Sequence, residues 1–147
     1  MKHGSTLILL FLSLLFSQLS KGQNFEKISN KQGFNQNTVF EIVQDFYGFL
    51  WFATPNGLIR FDGHEYSTYR AGPSQQNSIS DNYISALFID KEGLIWVGNR
   101  TGLDVYASSK ERFVRAPIPG QSNVSHIADD PSGRTWVSSN QTLFLIE

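Results

Sequence analysis

The amino-acid sequence predicts an all-β protein built from a repeated unit of four short strands. Three observations predict it: a motif Asp-x-x-Gly-x-x-Trp that occurs three times, strand-like apolar runs around each copy, and a composition rich in aromatic residues. The motif consists of Asp45, Gly48 and Trp51, then Asp90, Gly93 and Trp96, then Asp130, Gly133 and Trp136. The tryptophans lie 45 and 40 residues apart. This period and four strands per unit are typical of β-propeller blades.

Within each unit the residues predict the strands in order. Val39, Ile42 and Val43 form a β-rich run that ends at Asp45, and a similar run ends at Asp90. The Asp can accept backbone N–H bonds inside a tight turn, and the Gly three residues later supplies a positive φ. The predicted strands that follow are Phe49–Thr54, Leu58–Asp62 and Glu65–Arg70 in the first unit, and Leu94–Asn99, Leu103–Ala107 and Arg112–Arg115 in the second.

Turn residues and tryptophans complete the pattern. Gly57 and Gly102 each follow the Trp by six residues, whereas the third unit has Thr142 there, so its turn differs or the unit is a degraded or terminal one. We expect each indole to lie between adjacent sheets, which explains one large aromatic per unit. A β-sandwich is the alternative, but it would not require the same Asp-Gly-Trp order three times.

The repeats divide the chain into blades at about residues 37–76, 77–121 and 122–147. This gives two complete four-stranded blades and most of a third. Because a propeller closes with about four to eight blades, the predicted ring is incomplete. We therefore expect a truncated or fragmentary chain from a longer protein, and the alternative is a ring assembled from several chains.

The amino terminus is typical of a secretory signal peptide. Lys2 precedes an apolar run over Leu7–Phe16, and small residues permit cleavage after Gly22. The run is too short to span a membrane as a helix, and no later stretch reaches that length. The sequence predicts a signal peptide at 1–22 and an exported partial propeller at 23–147. A buried amino-terminal helix or an uncleaved anchor is the alternative.

Composition excludes several classes of function. Aromatic residues make up 14% and charged residues 17% of the 147 residues, which is typical of a folded chain. There is no cysteine, so disulfides, thiolate catalysis and cysteine zinc sites are excluded. The formal net charge of −1 and the lack of a basic run give no attraction for nucleic acid.

The sequence contains weak candidates for ligand binding and none for catalysis. Arg60, Asp62, His64 and Arg100 lie near predicted loop ends, and arginine suits carboxylated or polyhydroxylated ligands. Ordinary solvated turn residues are the alternative. We expect no enzyme activity, no metal and no cofactor; the second Asp of Asp129-Asp130 fills the turn position of the repeat rather than a metal site.

Longer matched segments resemble a known family. Phe25, Ile28 and the segment Gly33–Val39 are similar to the opening of the two-component regulator propeller repeat, Gln44–Gly63 resembles its first blade, and Asn77–Ile84 resembles the entry to its second. The resemblance implies the amino-terminal part of the periplasmic sensor region of a Bacteroides-type hybrid two-component sensor histidine kinase. It also implies that the remaining blades, a membrane helix and the kinase lie beyond this chain.

This resemblance implies a function in signal transduction. The sensor region would bind an oligosaccharide fragment in the periplasm and perform no chemistry. Two alternatives stay open: a fragment of a propeller-type carbohydrate-active enzyme, and a secreted binding scaffold that self-assembles through its sheet edges.

Overall fold

The described part of the chain is all β. The computed structural model describes residues 24–25, 27, 34–73, 78–120 and 122–146. It contains three antiparallel sheets and, within these residues, one turn of 3-10 helix, Ser108–Lys110, but no α-helix. No helix in the described ranges has the length and hydropathy needed to cross a membrane. The predicted signal peptide at 1–22 lies outside the described residues.

Each sheet is a meander in which consecutive strands pair. Sheet 1 contains β1 (Glu41–Gln44), β2 (Leu50–Thr54), β3 (Gly57–Phe61) and β4 (Tyr66–Tyr69). Sheet 2 contains β5 (Ile84–Ile89), β6 (Ile95–Asn99), β7 (Gly102–Ala107) and β8 (Arg112–Ala116). Sheet 3 contains β9 (Val124–Asp129), β10 (Thr135–Ser139) and β11 (Thr142–Ile146). The predicted strands are confirmed to within about one residue at their ends, and each sheet lies inside one predicted blade range, whose own limits stay predictions.

The three sheets lie side by side, and their equivalent strands run in the same direction. The ring of Phe40, before β1, lies 5.2 Å from that of Tyr83, before β5. At the other end of these strands the ring of Phe46 lies next to Gly93, and the side chain of Lys91 reaches Gly133. The three Asp-x-x-Gly turns therefore share one end of the molecule.

We call this end, at residues 45–49, 90–94 and 130–134, the Asp-turn end. The opposite end carries the hairpin turns of the middle strands, at residues 54–57, 99–102 and 139–142, together with the starts of the first strands; we call it the hairpin end. The first strands also link neighbouring sheets. The backbone N–H of Leu87 donates to Glu41 Oε2 at 2.7 Å, and Ser85 Oγ donates to the carbonyl of Val124.

An aromatic core joins sheets 1 and 2. Trp51 has no exposed surface and lies with its ring centroid 5.7 Å from Tyr69 of its own sheet and 5.1 Å from Tyr106 of the next. Phe113 of β8 packs against Tyr106 at 4.8 Å. The prediction that the indole lies between adjacent sheets is confirmed for Trp51. Replacing a core aromatic of this size with alanine costs about 3–5 kcal/mol.

A mainly aliphatic core joins sheets 2 and 3. Its buried members are Ala86, Leu103, Ile118, Val124, Ile127 and Val137. Trp96 is partly buried against this cluster. Gly98 sits where the first strand of sheet 3 crosses, because a Cβ there would lie 2.6 Å from a methyl of Val124. The glycine thus permits close contact between the two sheets.

The two outer sheets differ in their outward faces. In sheet 1, Phe34 covers the face, with its ring 5.3 Å from Phe52 and 5.4 Å from Tyr66. In sheet 3, the outward side chains Leu143 and Leu145 remain 62% and 36% exposed. Among the described residues no fourth sheet covers them, so the ring is incomplete, as predicted.

Candidate ligand-binding face

The repeated Asp and Trp are joined by a hydrogen bond. Asp45 Oδ1 accepts the backbone N–H groups of Tyr47 (3.0 Å) and Phe49 (2.9 Å), while its Oδ2 accepts Trp51 Nε1 at 2.8 Å. Asp45 is only 6% exposed, so three donors compensate for burying its charge. Sequence reasoning predicted the turn but missed the indole bond, although the constant six-residue spacing indicates it.

The other two copies repeat this geometry. Asp90 Oδ2 accepts Trp96 Nε1 at 2.8 Å, and Asp130 Oδ2 accepts Trp136 Nε1 at 3.0 Å. Asp130 Oδ2 also accepts a hydrogen bond from Arg134 Nε at 2.7 Å. The Trp136 indole and then Arg134 hold the pKa of the Asp130 carboxyl well below its usual range. Asp130 thus accepts backbone N–H groups and an indole N–H in the same way as Asp45 and Asp90.

The hairpin turns explain the departure of the third repeat. Gly57 and Gly102 have φ of +130° and +139°, and a Cβ on Gly57 would lie 2.6 Å from the carbonyl oxygen of Tyr69. In sheet 3, Asn140 and Gln141 instead take φ of +47° and +62°, and Thr142 starts the next strand. The loop length is the same in all three sheets, since Ser139 pairs with Thr142 as Thr54 pairs with Gly57. The expectation that the third turn differs is confirmed.

The four predicted ligand residues do not come together. Arg60, Asp62 and His64 lie at the Asp-turn end, whereas Arg100 lies in a hairpin turn at the opposite end. Their role in ligand binding stays a prediction. The two groups must be considered as separate sites.

At the Asp-turn end, local structure already engages two of these side chains. The Arg60 guanidinium carbon lies 4.8 Å from the centroid of the Phe49 ring. Asp62 Oδ1 accepts the backbone N–H groups of Glu65 (2.7 Å) and His64 (2.8 Å), which together hold the pKa of the Asp62 carboxyl below its usual range. The cleft beside Arg60 has a volume of about 150 Å³ and is also lined by two acidic residues, Asp45 and Glu111.

A more open cleft lies at the hairpin end between sheets 2 and 3. It has a volume of about 560 Å³ and is lined by Tyr83, Arg100, Ser122, Asn123 and Asn140. The Arg100 guanidinium carbon lies 4.0 Å from the centroid of the Tyr83 ring. The wall is fixed by the hairpin, because Asn140 donates its backbone N–H to the carbonyl of Asn123 at 3.3 Å.

These lining residues come from equivalent positions of consecutive repeats. Arg100 and Asn140 both follow the last residue of the second strand, and Tyr83 and Asn123 both directly precede the first strand. Sequence reasoning selected Arg100 and missed the other four, since their convergence depends on how neighbouring sheets stack. An alignment of the repeats indicates these positions, because Arg100 aligns with Asn140 and Tyr83 aligns with Asn123.

A third cleft, of about 760 Å³, lies beside a buried polar network in sheet 2. Asp104 is 3% exposed, and its Oδ2 accepts the backbone N–H (2.9 Å) and hydroxyl (2.6 Å) of Ser80 and the amide of Asn99 (2.8 Å). Arg115 lies 3.9 Å from its other oxygen. The network joins Ser80, in the segment before β5, to sheet 2. The buried polar groups therefore have hydrogen-bond partners within the protein.

No cluster of three His or acidic side chains suited to a metal ion occurs in the ranges that the structure describes. The hairpin-end cleft instead offers one guanidinium, two amides, a hydroxyl and an aromatic ring. Such a set can bind and orient a polar ligand through hydrogen bonds.

Comparison with known proteins supports the sequence resemblance. Residues 78–101 match the family described as two component regulator propeller. The chain is 37% identical over 75 residues to histidine kinase P4 of Formosa agariphila, a match that covers 50% of this chain and 6% of the kinase.

Solved structures agree on the fold. Two extracellular domains from hybrid two-component systems of B. thetaiotaomicron match with TM-scores of 0.69 and 0.66, at 24% and 27% identity, over 84% and 82% of this chain. This chain spans 19% and 17% of those chains. A virginiamycin B lyase from Staphylococcus aureus has a TM-score of 0.61 at 16% identity, covering 87% of this chain and 43% of the lyase, so that likeness concerns the fold alone.

The described sheets, the repeat match and the structural neighbours lead to one conclusion. Residues 78–101 match the two-component regulator propeller repeat, and the chain resembles part of the extracellular domains of hybrid two-component systems.

Proposed function

We propose that this chain is part of the periplasmic sensor propeller of a hybrid two-component system and binds a soluble ligand at the hairpin end. The observation that carries the proposal is the cleft formed by equivalent positions of consecutive blades, Tyr83 with Asn123 and Arg100 with Asn140. In the complete sensor, further blades, a membrane helix and a kinase would follow. Export through a signal peptide at 1–22 belongs to the same proposal.

The proposed ligand is an oligosaccharide fragment. Amide and hydroxyl groups pair with sugar hydroxyls, and a guanidinium over an aromatic ring leaves its N–H donors available at the edge. The Tyr83 ring under Arg100 also contacts the ring of Phe40, at 5.2 Å between centroids. Among the described residues that line the cleft there is no carboxylate or imidazole to act as a general acid or base, and the proposal assigns no reaction to the cleft.

A second candidate is the self-assembling scaffold, and the exposed face of sheet 3 favours it. Leu143 and Leu145 would be buried if another sheet packed on them. In the sensor proposal this other sheet is the next blade of the same protein. A discrete oligomer of one size at all concentrations in sedimentation velocity would favour the scaffold, whereas association that increases with concentration would not.

The sensor proposal is tested by titrating the full chain with a panel of oligosaccharides and measuring heat by calorimetry. We expect at least one oligosaccharide to bind, and Arg100→Gln and Tyr83→Ala to weaken its binding about tenfold each, because each removes a direct contact. The matched control is Arg112→Gln, which removes an exposed arginine at the Asp-turn end. Absence of binding across the panel, or equal loss in Arg112→Gln, would contradict the proposal.

A further inference from the structure

We infer that the ligand of the hairpin-end cleft carries a carboxylate, so that the sensor recognises an acidic saccharide; this inference rests on the proposed function. The charge of the cleft favours an anion. Of the five described residues that line it, only Arg100 is charged, and none is acidic. A neutral ligand would leave this cation without a counterpart.

Arg100 is available for an anion. It is exposed, and among the described residues it forms no ion pair and donates no hydrogen bond. Its contact is the Tyr83 ring, over which it lies at 4.0 Å. Stacking limits the rotamers of the long side chain and leaves the guanidinium edge for a bidentate carboxylate.

Two acidic groups of the same blade, Asp81 and Asp104, are engaged with other partners. Asp81 Oδ1 accepts the backbone N–H of Tyr83 at 2.7 Å, and no Asp81–Arg100 ion pair forms. Asp104 is buried and accepts hydrogen bonds from Ser80 and Asn99. Neither carboxylate occupies the place that a ligand carboxylate would take on Arg100.

The cleft beside Arg60 provides the contrast. There, Asp45 and Glu111 line the same space as the guanidinium, so the local charge is unfavourable for an anion. Of the two arginines predicted to bind ligand, Arg60 and Arg100, Arg100 is therefore the one whose surroundings favour a carboxylate.

The other groups select hydroxyls beside the carboxylate. Asn123 and Asn140 are exposed amides that can both donate and accept. Ser122 Oγ donates to the carbonyl of Gly120 at 2.9 Å, which leaves its oxygen free to accept. An acid that also carries hydroxyl groups matches this set, as a uronic acid does.

The test compares matched probes on the full chain by NMR chemical-shift titration. The probes are glucuronate, its neutral counterparts glucuronamide and glucose, and glucose 6-sulfate. We expect glucuronate to bind about tenfold more tightly than either neutral probe, as for a charge-assisted bidentate contact. The preference should decrease as salt is raised, because the site is open to solvent.

Two variants and a control locate the effect. Arg100→Gln should abolish the preference for glucuronate, and Arg100→Lys should retain part of it, because lysine keeps the charge but loses the bidentate geometry. Arg112→Gln should keep the full preference. Unchanged amide spectra away from the cleft would show that the variants are folded.

The outcomes separate the two proposals. If neutral probes shift the cleft residues and bind as tightly as glucuronate, the carboxylate inference is wrong while the sensor proposal stands. If glucose 6-sulfate binds more tightly than glucuronate, the inference is also wrong, since the site then selects a sulfate ester. If no oligosaccharide or sugar probe shifts Tyr83, Asn123 or Asn140, both proposals fail.

Discussion

At the scale of single residues, each Asp of the repeat performs two tasks with its two oxygens. One oxygen closes the turn by accepting two backbone N–H groups, and the other accepts the indole N–H six residues later. The turn and the large core side chain are thus fixed together. A buried indole nitrogen would otherwise lack a partner between two sheets.

Asp45→Ala tests this coupling. The substitution leaves the Trp51 indole and two backbone N–H groups without their acceptor, so we expect a loss of about 2–4 kcal/mol in the free energy of unfolding, measured by urea denaturation. Asp62→Ala is the matched control, because Asp62 accepts two backbone N–H groups at an exposed turn. Equal effects of the two substitutions would contradict a special role for the Asp–Trp bond.

The hairpin turns of the three sheets reach the same loop length with different residues at positive φ. Sheet 3 keeps the same loop length without glycine by placing Asn140 and Gln141 in the left-handed region. Asparagine tolerates this conformation, but glutamine does so at a cost.

Gln141→Gly should therefore stabilise the chain by about 1 kcal/mol, because it relieves the left-handed strain of a side-chain-bearing residue. Thermal unfolding followed by circular dichroism measures the change. The opposite substitution in sheet 2, Gly102→Ala, should destabilise, since φ is +139° and a Cβ would lie 2.9 Å from the Arg115 guanidinium. A destabilised Gln141→Gly variant would contradict this account of the turn.

At the scale of the elements, burial between sheets 1 and 2 controls an ionisable group. Burial, with the neighbouring Tyr69 as a second cause, raises the pKa of Tyr106 to about 12. The neutral phenol is therefore favoured in the folded chain. Below pH 10 the phenol is neutral in both states and contributes no pH dependence.

Above pH 10 the unfolded chain ionises first, so we expect stability to fall as pH rises from about 10 to about 12. Tyr106→Phe should flatten this part of the stability profile while leaving the packing with Trp51 and Phe113 in place. Unfolding midpoints measured across this range provide the comparison. An identical alkaline loss in both chains would show that Tyr106 is not the group responsible.

The sequence predicted the elements well because their signals are local. Alternation, turn glycines and the Asp at each turn specify strands within a few residues of their true ends. The cleft residues were harder to predict, since Tyr83 and Asn123 are separated by a whole repeat and meet only when sheets 2 and 3 stack. Arg60 and Arg100 looked equivalent as loop-end arginines, yet the direction of the strands puts them at opposite ends.

At the scale of the whole molecule, the described ring is open and its two outward faces differ. Phe34 covers sheet 1, whereas Leu143 and Leu145 lie exposed on sheet 3 beside the partly buried Trp136. An exposed apolar sheet face of this kind promotes association.

We expect the full chain to associate as its concentration rises, and Leu143→Glu combined with Leu145→Glu to reduce this association about tenfold or more, because two charges on the face oppose burial. Sedimentation velocity at several concentrations measures it. Phe46→Glu is the control, since Phe46 is 71% exposed at the Asp-turn end. If Phe46→Glu reduces association as strongly as the double variant, the contact does not lie on the face of sheet 3.

The central claim is that the hairpin end is the ligand-binding face of a sensor propeller. The most direct test is to map amide chemical shifts of the full chain during titration with the oligosaccharide panel and the acidic sugar probe. We expect shifts centred on Tyr83, Arg100, Asn123 and Asn140, with the Asp-turn end unchanged. Shifts centred on residues 45–49 and 90–94, or no shifts with any probe, would contradict it.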